Sequence, residues 1–203
     1  RGVASGYWGN GAGRSSVNLT VNQDGTIMLL EGSTDIGGPR ASIAMQAAEV
    51  LGISVEDVHP ATADTDSVGY PAGTGGRRVP FATGWAAHEA AQEVKRKMLG
   101  RAAMIWDVDG DSLQMEKGVI SSKSDSELSM GFKELCEQME DTGGPIMGSG
   151  TVDPKGEGGS YCGNIVDVKV DPETGKTTVL RFTVVQDAGK AIHPSYVEGQ
   201  LQG

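Results

Sequence analysis

The chain has 203 residues and a formal net charge of -10, with 37% hydrophobic and 22% charged residues. This balance suits the packed core of one sizeable domain or two small ones, and the negative charge argues against nucleic-acid binding through a broad basic face. No run of about 18 apolar residues is present, so we expect no membrane span. Glycine is abundant at 31 residues while aromatic residues make up 5%, which indicates many tight turns.

The two cysteines, Cys136 and Cys162, lie in neither a CxxC nor a CxH pattern, which argues against an iron–sulfur or zinc site within this chain. We predict two buried thiols in a reducing cytosol, with a disulfide between them as the alternative, and therefore a cytoplasmic protein. The chain starts at Arg1 without a methionine and stops at Gly203, directly after a helix-like run. We interpret it as a fragment of a longer protein.

Period-two and helical patterns predict the elements of the first half of the chain. In chain order they are a hairpin over residues 16–31, a glycine-rich loop over 32–39, a helix over 39–51 that ends at Gly52, a short strand over 54–63, a second irregular loop over 64–80, and a helix over 81–106. In the last helix, alanine or another apolar residue recurs every four positions, at Ala86, Ala90, Val94, Met98 and Ala102.

The second half reads as two more hairpins separated by a helix and a connection. The predicted elements are a hairpin over residues 113–120, a helix over 129–140, a glycine-rich connection over 142–160, and a hairpin over 164–185. Hairpins dominate the strand pairs, so the pattern predicts an α+β layered fold of mostly antiparallel hairpins packed against two to three helices. We treat residues 1–203 as one domain with candidate subdomains 1–141 and 142–203.

Two glycine loops that each lead into a helix are the candidate ligand sites. In the first glycine loop (residues 32–39), Gly37 and Gly38 let a ligand touch the backbone at a helix N-terminus, where unpaired N–H groups favour anions. The second glycine loop (residues 64–80) holds Gly75 and Gly76 directly before Arg77 and Arg78, and arginine can bind phosphate through two parallel hydrogen bonds. The alternatives are a tight turn without a ligand for the first loop and a mobile surface loop for the second.

Other motifs carry weaker signals. No GxxxxGK[ST] pattern is present, which excludes a P-loop, and the three histidines show no metal-ligand spacing, so we predict no metal ligands and no catalytic residues in this chain. A third candidate is Gln200, which follows the run from Asp187 to Gly189 and sits in the helix-like C-terminal segment. Its amide can both donate and accept hydrogen bonds, and an exposed helix residue without a ligand is the alternative.

The ordered set of these runs resembles the second half of the molybdenum-binding large subunit of the xanthine dehydrogenase and aldehyde oxidase family. The matching runs are Glu31–Arg40, Thr74–Arg78, Val170–Gly175, and Asp187–Gly189 followed by Glu198–Gln200. The resemblance implies a molybdopterin cofactor, often extended to the cytosine dinucleotide in bacteria. It implies that Gly37 and Gly38 lie near the metal, that residues 75–78 hold a phosphate or the pterin tail, and that Gln200 hydrogen-bonds the pterin.

The resemblance further implies hydroxylation of an aldehyde, a purine or another N-heterocycle with water as the oxygen source. Its implied partners are the rest of the large subunit, subunits or domains that carry iron–sulfur clusters and FAD, and a small-molecule substrate. Many relatives have glutamine at the position of Gly38 and serine at that of Arg77, and the family's general-base glutamate has no match here. A binding or structural module that lost the metal site is therefore the alternative, and a nucleotide-binding enzyme that uses Arg77 and Arg78 is a third.

Overall fold

The structure is a computed structural model of the chain. It describes residues 1–62, 66–69, 71–156 and 158–203. Residues 64, 65 and 70 of the second glycine loop therefore lie outside the described residues. The described part contains ten β-strands and four α-helices, with mostly antiparallel strand pairs, so the α+β prediction is confirmed, with four helices instead of two or three.

The described residues divide into two compact units. The larger unit comprises residues 12–155, and the smaller one joins residues 1–11 to residues 156–203. This division differs from the subdomains predicted at 1–141 and 142–203. The difference arises because the first strand of the chain pairs with a strand of the C-terminal part, and because residues 146–152 belong to the sheet of the larger unit.

The larger unit is built on a four-stranded sheet. Its strands, in spatial order, are β4 (Val58–Thr62), β3 (Ile27–Glu31), β2 (Ser15–Val21) and β8 (Ile146–Val152). The hairpin of β2 and β3 is confirmed, and Gly25 has a φ of 82° in its turn. The only parallel pair in the described part is β3 with β4. A helix forms the crossover between these two strands, as is usual for a parallel pair.

Two helices cover this sheet. Helix α1 (Pro39–Leu51) ends at Gly52 as predicted, since Gly52 adopts the left-handed conformation that ends helices. Helix α2 (Gly84–Trp106) follows one turn of π-helix, Val79–Thr83, where the sequence predicted a helix from residue 81. The predicted inward face of α2 is confirmed, because all five of its members are buried: Ala86, Ala90, Val94, Met98 and Ala102.

Strand β8 corrects the prediction of a connection over residues 142–160. Its inward positions are Ile146, Gly148 and Gly150, which alternate with exposed residues. A Cβ atom at Gly148 or Gly150 would meet the backbone of α2 at Ala90 or Ala86. The two glycines therefore let the strand lie directly against the helix. Because glycine carries no apolar side chain, this buried strand lacked the hydrophobic signal that identifies a strand.

A small sheet completes the larger unit. It consists of β5 (Leu113–Glu116), β6 (Val119–Ser122) and β7 (Ser129–Gly131), followed by helix α3 (Phe132–Glu137). The β5–β6 hairpin is confirmed. The helix predicted over residues 129–140 is shorter, because its first three residues pair with β6 instead. Its predicted apolar face is nevertheless buried: Phe132, Leu135, Cys136 and Met139.

The smaller unit contains a three-stranded antiparallel sheet and one helix. The sheet has the spatial order β1 (Gly2–Gly9), β9 (Gly159–Val170) and β10 (Thr177–Gln186), and α4 (Pro194–Gln202) follows. The predicted β9–β10 hairpin and the C-terminal helix are confirmed. Strand β1 was not predicted, because its partner residues lie at least 150 positions away along the chain and its own pattern does not alternate.

Candidate cofactor-binding site

The first glycine loop turns into α1 through two glycines in the left-handed region. Gly37 has a φ of 128° and Gly38 a φ of 86°, and no side chain caps the helix at Gly38. The carboxylate of Asp35 accepts hydrogen bonds from the Gly38 N–H at 2.8 Å and from Arg40 Nε at 2.9 Å. The positive charge of Arg40 is thus already paired with Asp35 beside the helix N-terminus, so the glycine backbone is the part of this loop that a ligand can approach.

The second glycine loop holds two consecutive residues in the left-handed region. Gly76 has a φ of 56° and Arg77 a φ of 58°, and for a residue with a side chain this conformation costs about 1–2 kcal/mol. Such strain often accompanies functional loops. At Gly73 and at Gly75 an added Cβ would meet nothing within 4 Å. The backbone on both sides of Thr74 is therefore open to a ligand.

The two adjacent arginines have opposite environments. Arg77 is exposed, whereas Arg78 is only 3% exposed. The Arg78 guanidinium donates hydrogen bonds to protein oxygens from all three of its nitrogens: to Ala12 O at 2.6 Å, Ala72 O at 3.0 Å, Arg14 O at 3.0 Å, Gly13 O at 3.4 Å, and the Ser15 hydroxyl. Burial lowers the pKa of Arg78 and the charge of Glu31 raises it, but an arginine stays protonated in proteins.

The start of the first glycine loop contacts the second loop and the turn that follows it. A Cβ at Gly32 would lie 2.7 Å from Pro71 Cγ and 3.2 Å from Val68 Cγ2. The Ser33 hydroxyl lies 3.2 Å from Thr83 Oγ1 in the π-helical turn. The two loops, which sequence patterns indicated separately, therefore belong to one region of the larger unit.

Two buried polar atoms in this region have no hydrogen-bond partner among the described residues. They are Glu31 Oε1, at the end of β3, and Thr74 Oγ1, in the second glycine loop. The other carboxylate oxygen of Glu31 accepts the Ser33 N–H at 2.5 Å. Burial is the first cause of the raised pKa of Glu31. Since buried polar groups are nearly always hydrogen-bonded, orphaned atoms at these loops mark a place where a ligand or water belongs.

Comparison with known proteins identifies the family. The family model described as molybdopterin cofactor-binding domain matches residues 1–203. The chain belongs to this family. Its curated relatives include the xanthine dehydrogenase molybdenum-binding subunit of Escherichia coli O157:H7, 28% identical over 98% of this chain and 27% of that protein. Another is the nicotine 6-hydroxylase large subunit of Paenarthrobacter nicotinovorans, 25% identical over 93% of this chain and 24% of that protein.

Solved structures share the fold of this molybdopterin cofactor-binding domain. The CO dehydrogenase from Oligotropha carboxidovorans matches with a TM-score of 0.87 at 24% identity, over 100% of this chain and 27% of that one. The aldehyde oxidoreductase from Desulfovibrio desulfuricans matches with a TM-score of 0.70 at 24% identity, over 98% of this chain and 21% of that one. The chain thus spans about a quarter of the length of the relatives it matches.

Gln200 lies on α4 of the smaller unit of the domain, where it is exposed. The helix begins after His193, whose ring stacks on that of Tyr196 with centroids 3.8 Å apart. The Gln186 amide donates to Tyr161 O and Asp187 O at the end of β10, which fixes the turn that leads to α4. The role of Gln200 toward the pterin stays a prediction.

The described residues contain no group of three or more histidine, cysteine or acidic side chains that could hold a metal ion. Both cysteines are free: Cys136 is buried and Cys162 is half-buried, so the prediction of two buried thiols holds for Cys136 alone. Burial raises the pKa of Cys136 to about 12. None of the helices in the described part has the length and apolar character that a membrane crossing requires.

Two polar residues of this site, Glu31 and Thr74, were not predicted from the sequence. Each of them could have been recognised from a pattern in the sequence. Glu31 continues the buried, period-two positions of Ile27 and Leu29. The strand pattern therefore predicts a buried carboxylate at the end of the strand. Thr74 is the one hydroxyl residue between Gly73 and Gly75, where the backbone is most open.

Proposed function

We propose that the chain is the part of a molybdenum hydroxylase subunit that helps to bind the molybdopterin cofactor. The relatives named as xanthine dehydrogenase and nicotine 6-hydroxylase subunits support a purine or another N-heterocycle as the substrate class, and the aldehyde oxidoreductase fold supports aldehydes. When bound, the molybdenum centre accepts the electrons of the oxidation, and water supplies the oxygen atom. The role of this chain is to hold and orient the cofactor.

The two orphaned buried atoms are the observation that carries this proposal. Glu31 Oε1 and Thr74 Oγ1 are the buried side-chain atoms without partners in the described part, and each lies in or beside one of the two glycine loops. A cofactor with a pterin and a phosphate offers both donors and acceptors. The open backbone beside Gly73 and Gly75 gives it room to approach, so the residues present fit such a ligand.

Each candidate residue has a distinct role in this proposal. The Thr74 hydroxyl and the backbone N–H groups at Gly75 and Gly76 bind phosphate oxygens, and the exposed side chain of Arg77 adds positive charge. Arg78 acts by fixing the loop, because its nitrogens already donate to protein oxygens.

The remaining candidate residues act on the pterin end. Gly37 and Gly38 let the metal end of the cofactor approach the start of α1, and Gln200 hydrogen-bonds the pterin. We expect the cofactor in either its plain or its cytosine dinucleotide form. We also expect iron–sulfur and FAD-carrying partner subunits or domains, and a cytoplasmic enzyme.

The test compares cofactor content in the full-length subunit, purified with its partners from its own host. Molybdenum is measured by mass spectrometry, and pterin is measured by the fluorescence of its oxidised form. Arg77→Ala should lower the affinity for pterin about tenfold or more, since hydrogen bonds to charged groups contribute about 1.5–3 kcal/mol. Thr74→Val should lower it about fivefold, for the loss of one neutral hydrogen bond of about 1 kcal/mol.

Arg96→Ala is the matched control, because Arg96 is also exposed but lies on α2, away from both loops. It should keep the full cofactor content. A wild-type enzyme without molybdenum and without pterin would refute the proposal in favour of a structural module. Binding of a plain nucleotide that is lost in Arg77→Ala, in a protein without pterin, would favour a nucleotide-binding enzyme of another class.

A further inference from the structure

A continuous chain of buried polar side chains runs beneath the two glycine loops. The described part has six buried polar or charged residues, and five of them belong to this chain; their exposures are 0–3%. These five are Arg78, Ser15, Thr83, Ser33 and Glu31. Burying a polar group destabilises the fold unless the group is hydrogen-bonded. The concentration of five such groups in one place therefore indicates a common role.

Hydrogen bonds link the first four members of this chain in order. Arg78 has no acceptor, so its Nη2 donates to Ser15 Oγ. Ser15 Oγ lies 3.1 Å from Thr83 Oγ1, which lies 3.2 Å from Ser33 Oγ, and either oxygen of each hydroxyl pair can be the donor.

The chain ends at the carboxylate of Glu31, whose Oε2 accepts the Ser33 N–H at 2.5 Å. A buried cation and a buried anion are thus joined through three hydroxyls and the backbone N–H of Ser33. Hydrogen bonds in such a series strengthen one another, so the end groups and the hydroxyls between them act as a unit.

The chain joins the segments whose relative position matters for a ligand at the loops. Ser33 belongs to the first glycine loop and Arg78 to the second. Thr83 lies in the π-helical turn that begins the long helix, and such turns are frequent at functional sites. Three of the other hydrogen bonds of Arg78 are accepted by the carbonyls of residues 12–14, which lead into β2.

We propose that Glu31, Ser33, Thr83 and Ser15 are positioning residues that, with Arg78, form a hydrogen-bond relay holding the two glycine loops in register for the cofactor. We name it the Arg78–Glu31 relay. This inference rests on the proposed function for its purpose, but the relay itself is testable without cofactor. Ser33, Thr83 and Ser15 need not touch the pterin, because their action passes through the loop backbones.

The relay has a defined dependence on the charge of Glu31. The charged groups that act on Glu31 are Arg40 and Arg78, which are attractive, and Asp35, which is repulsive. Burial raises the pKa of Glu31, so the closed loops hold its protonated form more readily than loosened loops would. The loops should therefore loosen as the pH rises through the titration of Glu31, and Glu31→Gln should abolish that dependence.

The experiment measures hydrogen–deuterium exchange in the full-length enzyme produced in a host unable to make molybdopterin. Peptides covering residues 32–38 and 71–78 report on the two loops. Thr83→Val removes the central hydroxyl but keeps the shape, and we expect exchange in both loops to become about tenfold faster. Thr83→Ser keeps the hydroxyl and should restore slow exchange to within about twofold of the wild type.

Thr151→Val is the matched control, since the Ser16–Thr151 hydroxyl pair is exposed and lies outside the relay. It should leave exchange in both loops unchanged. If Thr83→Val fails to fold, Glu31→Gln provides the second measurement, because the wild type should show loop exchange that increases with pH relative to residues 113–122, while Glu31→Gln should not.

The outcomes separate the relay from the proposed function. Unchanged loop exchange in Thr83→Val, or equal loosening by Thr83→Val and Thr83→Ser, would overturn the relay, and so would a pH dependence that persists in Glu31→Gln. Loosening confined to one loop would also overturn it, because the relay must act on both. Failure of the proposed function would appear elsewhere, as wild-type enzyme without pterin from a host that makes it.

Discussion

Because β8 lies directly against α2, we predict that replacing a glycine by alanine lowers stability at Gly150 of the strand and raises it at Gly100 of the helix. Gly150→Ala places a methyl group against the Ala86 carbonyl oxygen, 2.8 Å from Ala90 N and 3.0 Å from Ala86 C. These are backbone atoms of a helix, so no flexible side chain can move aside. Gly100→Ala is the matched control, because Gly100 is exposed inside α2 and an added Cβ there meets nothing within 4 Å.

The change in the free energy of unfolding for Gly150→Ala has three contributions. Overpacking a close-packed core costs about 1–3 kcal/mol, and rigid backbone contacts put Gly150→Ala near the upper end. Burial of a methyl group returns about 0.8 kcal/mol, and the less flexible unfolded chain returns about 0.5–1 kcal/mol. We expect a net loss of about 1–2 kcal/mol, which shifts the folding equilibrium about fivefold to thirtyfold. Gly100→Ala should gain about 0.5–1 kcal/mol, since alanine favours the helix.

Urea unfolding followed by tryptophan fluorescence measures both changes, and Trp85 and Trp106 lie on α2 itself. A Gly150→Ala chain as stable as the wild type would refute the close approach of β8 to the helix. A loss of stability in Gly100→Ala as large as that in Gly150→Ala would show that the helix tolerates no change at all, and would refute the assignment of the effect to the strand–helix contact.

Three other predictions concern Cys136, Asp35 and Glu31. Burial raises the pKa of Cys136 to about 12, so iodoacetamide at mildly alkaline pH should modify the half-buried Cys162 and spare Cys136, as read by mass spectrometry. Asp35→Ala removes the acceptor of the Gly38 N–H and should lower the free energy of unfolding by about 1 kcal/mol in urea titrations, with a smaller loss in Asp35→Asn. Because the pKa of Glu31 is raised on folding, its contribution to stability should decline as pH rises from about 4.5 through the raised value, and this decline should vanish in Glu31→Gln.

The sequence predicted those elements whose side chains alternate or recur on one face. The β2–β3 hairpin and the buried face of α2 followed directly from apolar residues at period two and period four. Besides the short β7, two strands were not predicted, for different reasons. Strand β8 has glycines at its buried positions, so its signal lies in what it packs against, and β1 depends on a partner at the other end of the chain. Neither cause can be read from a local window of sequence.

Local sequence patterns are equally limited in predicting the environments of single residues in the candidate site. Arg77 and Arg78 look equivalent in the sequence, and charge alone assigns both to phosphate. The left-handed backbone at Gly76 and Arg77 sends the two neighbours to different environments, one exposed and one buried.

The buried arginine still serves the ligand, because its hydrogen bonds to the carbonyls of residues 12–14 and 72 fix the loop on which Thr74 and Arg77 are presented. A lysine at position 78 would keep the charge but could not donate to this many oxygens in one plane. The position therefore requires the shape of arginine as well as its charge, and the same reasoning makes serine or lysine at position 77 far easier to accept than either would be at position 78.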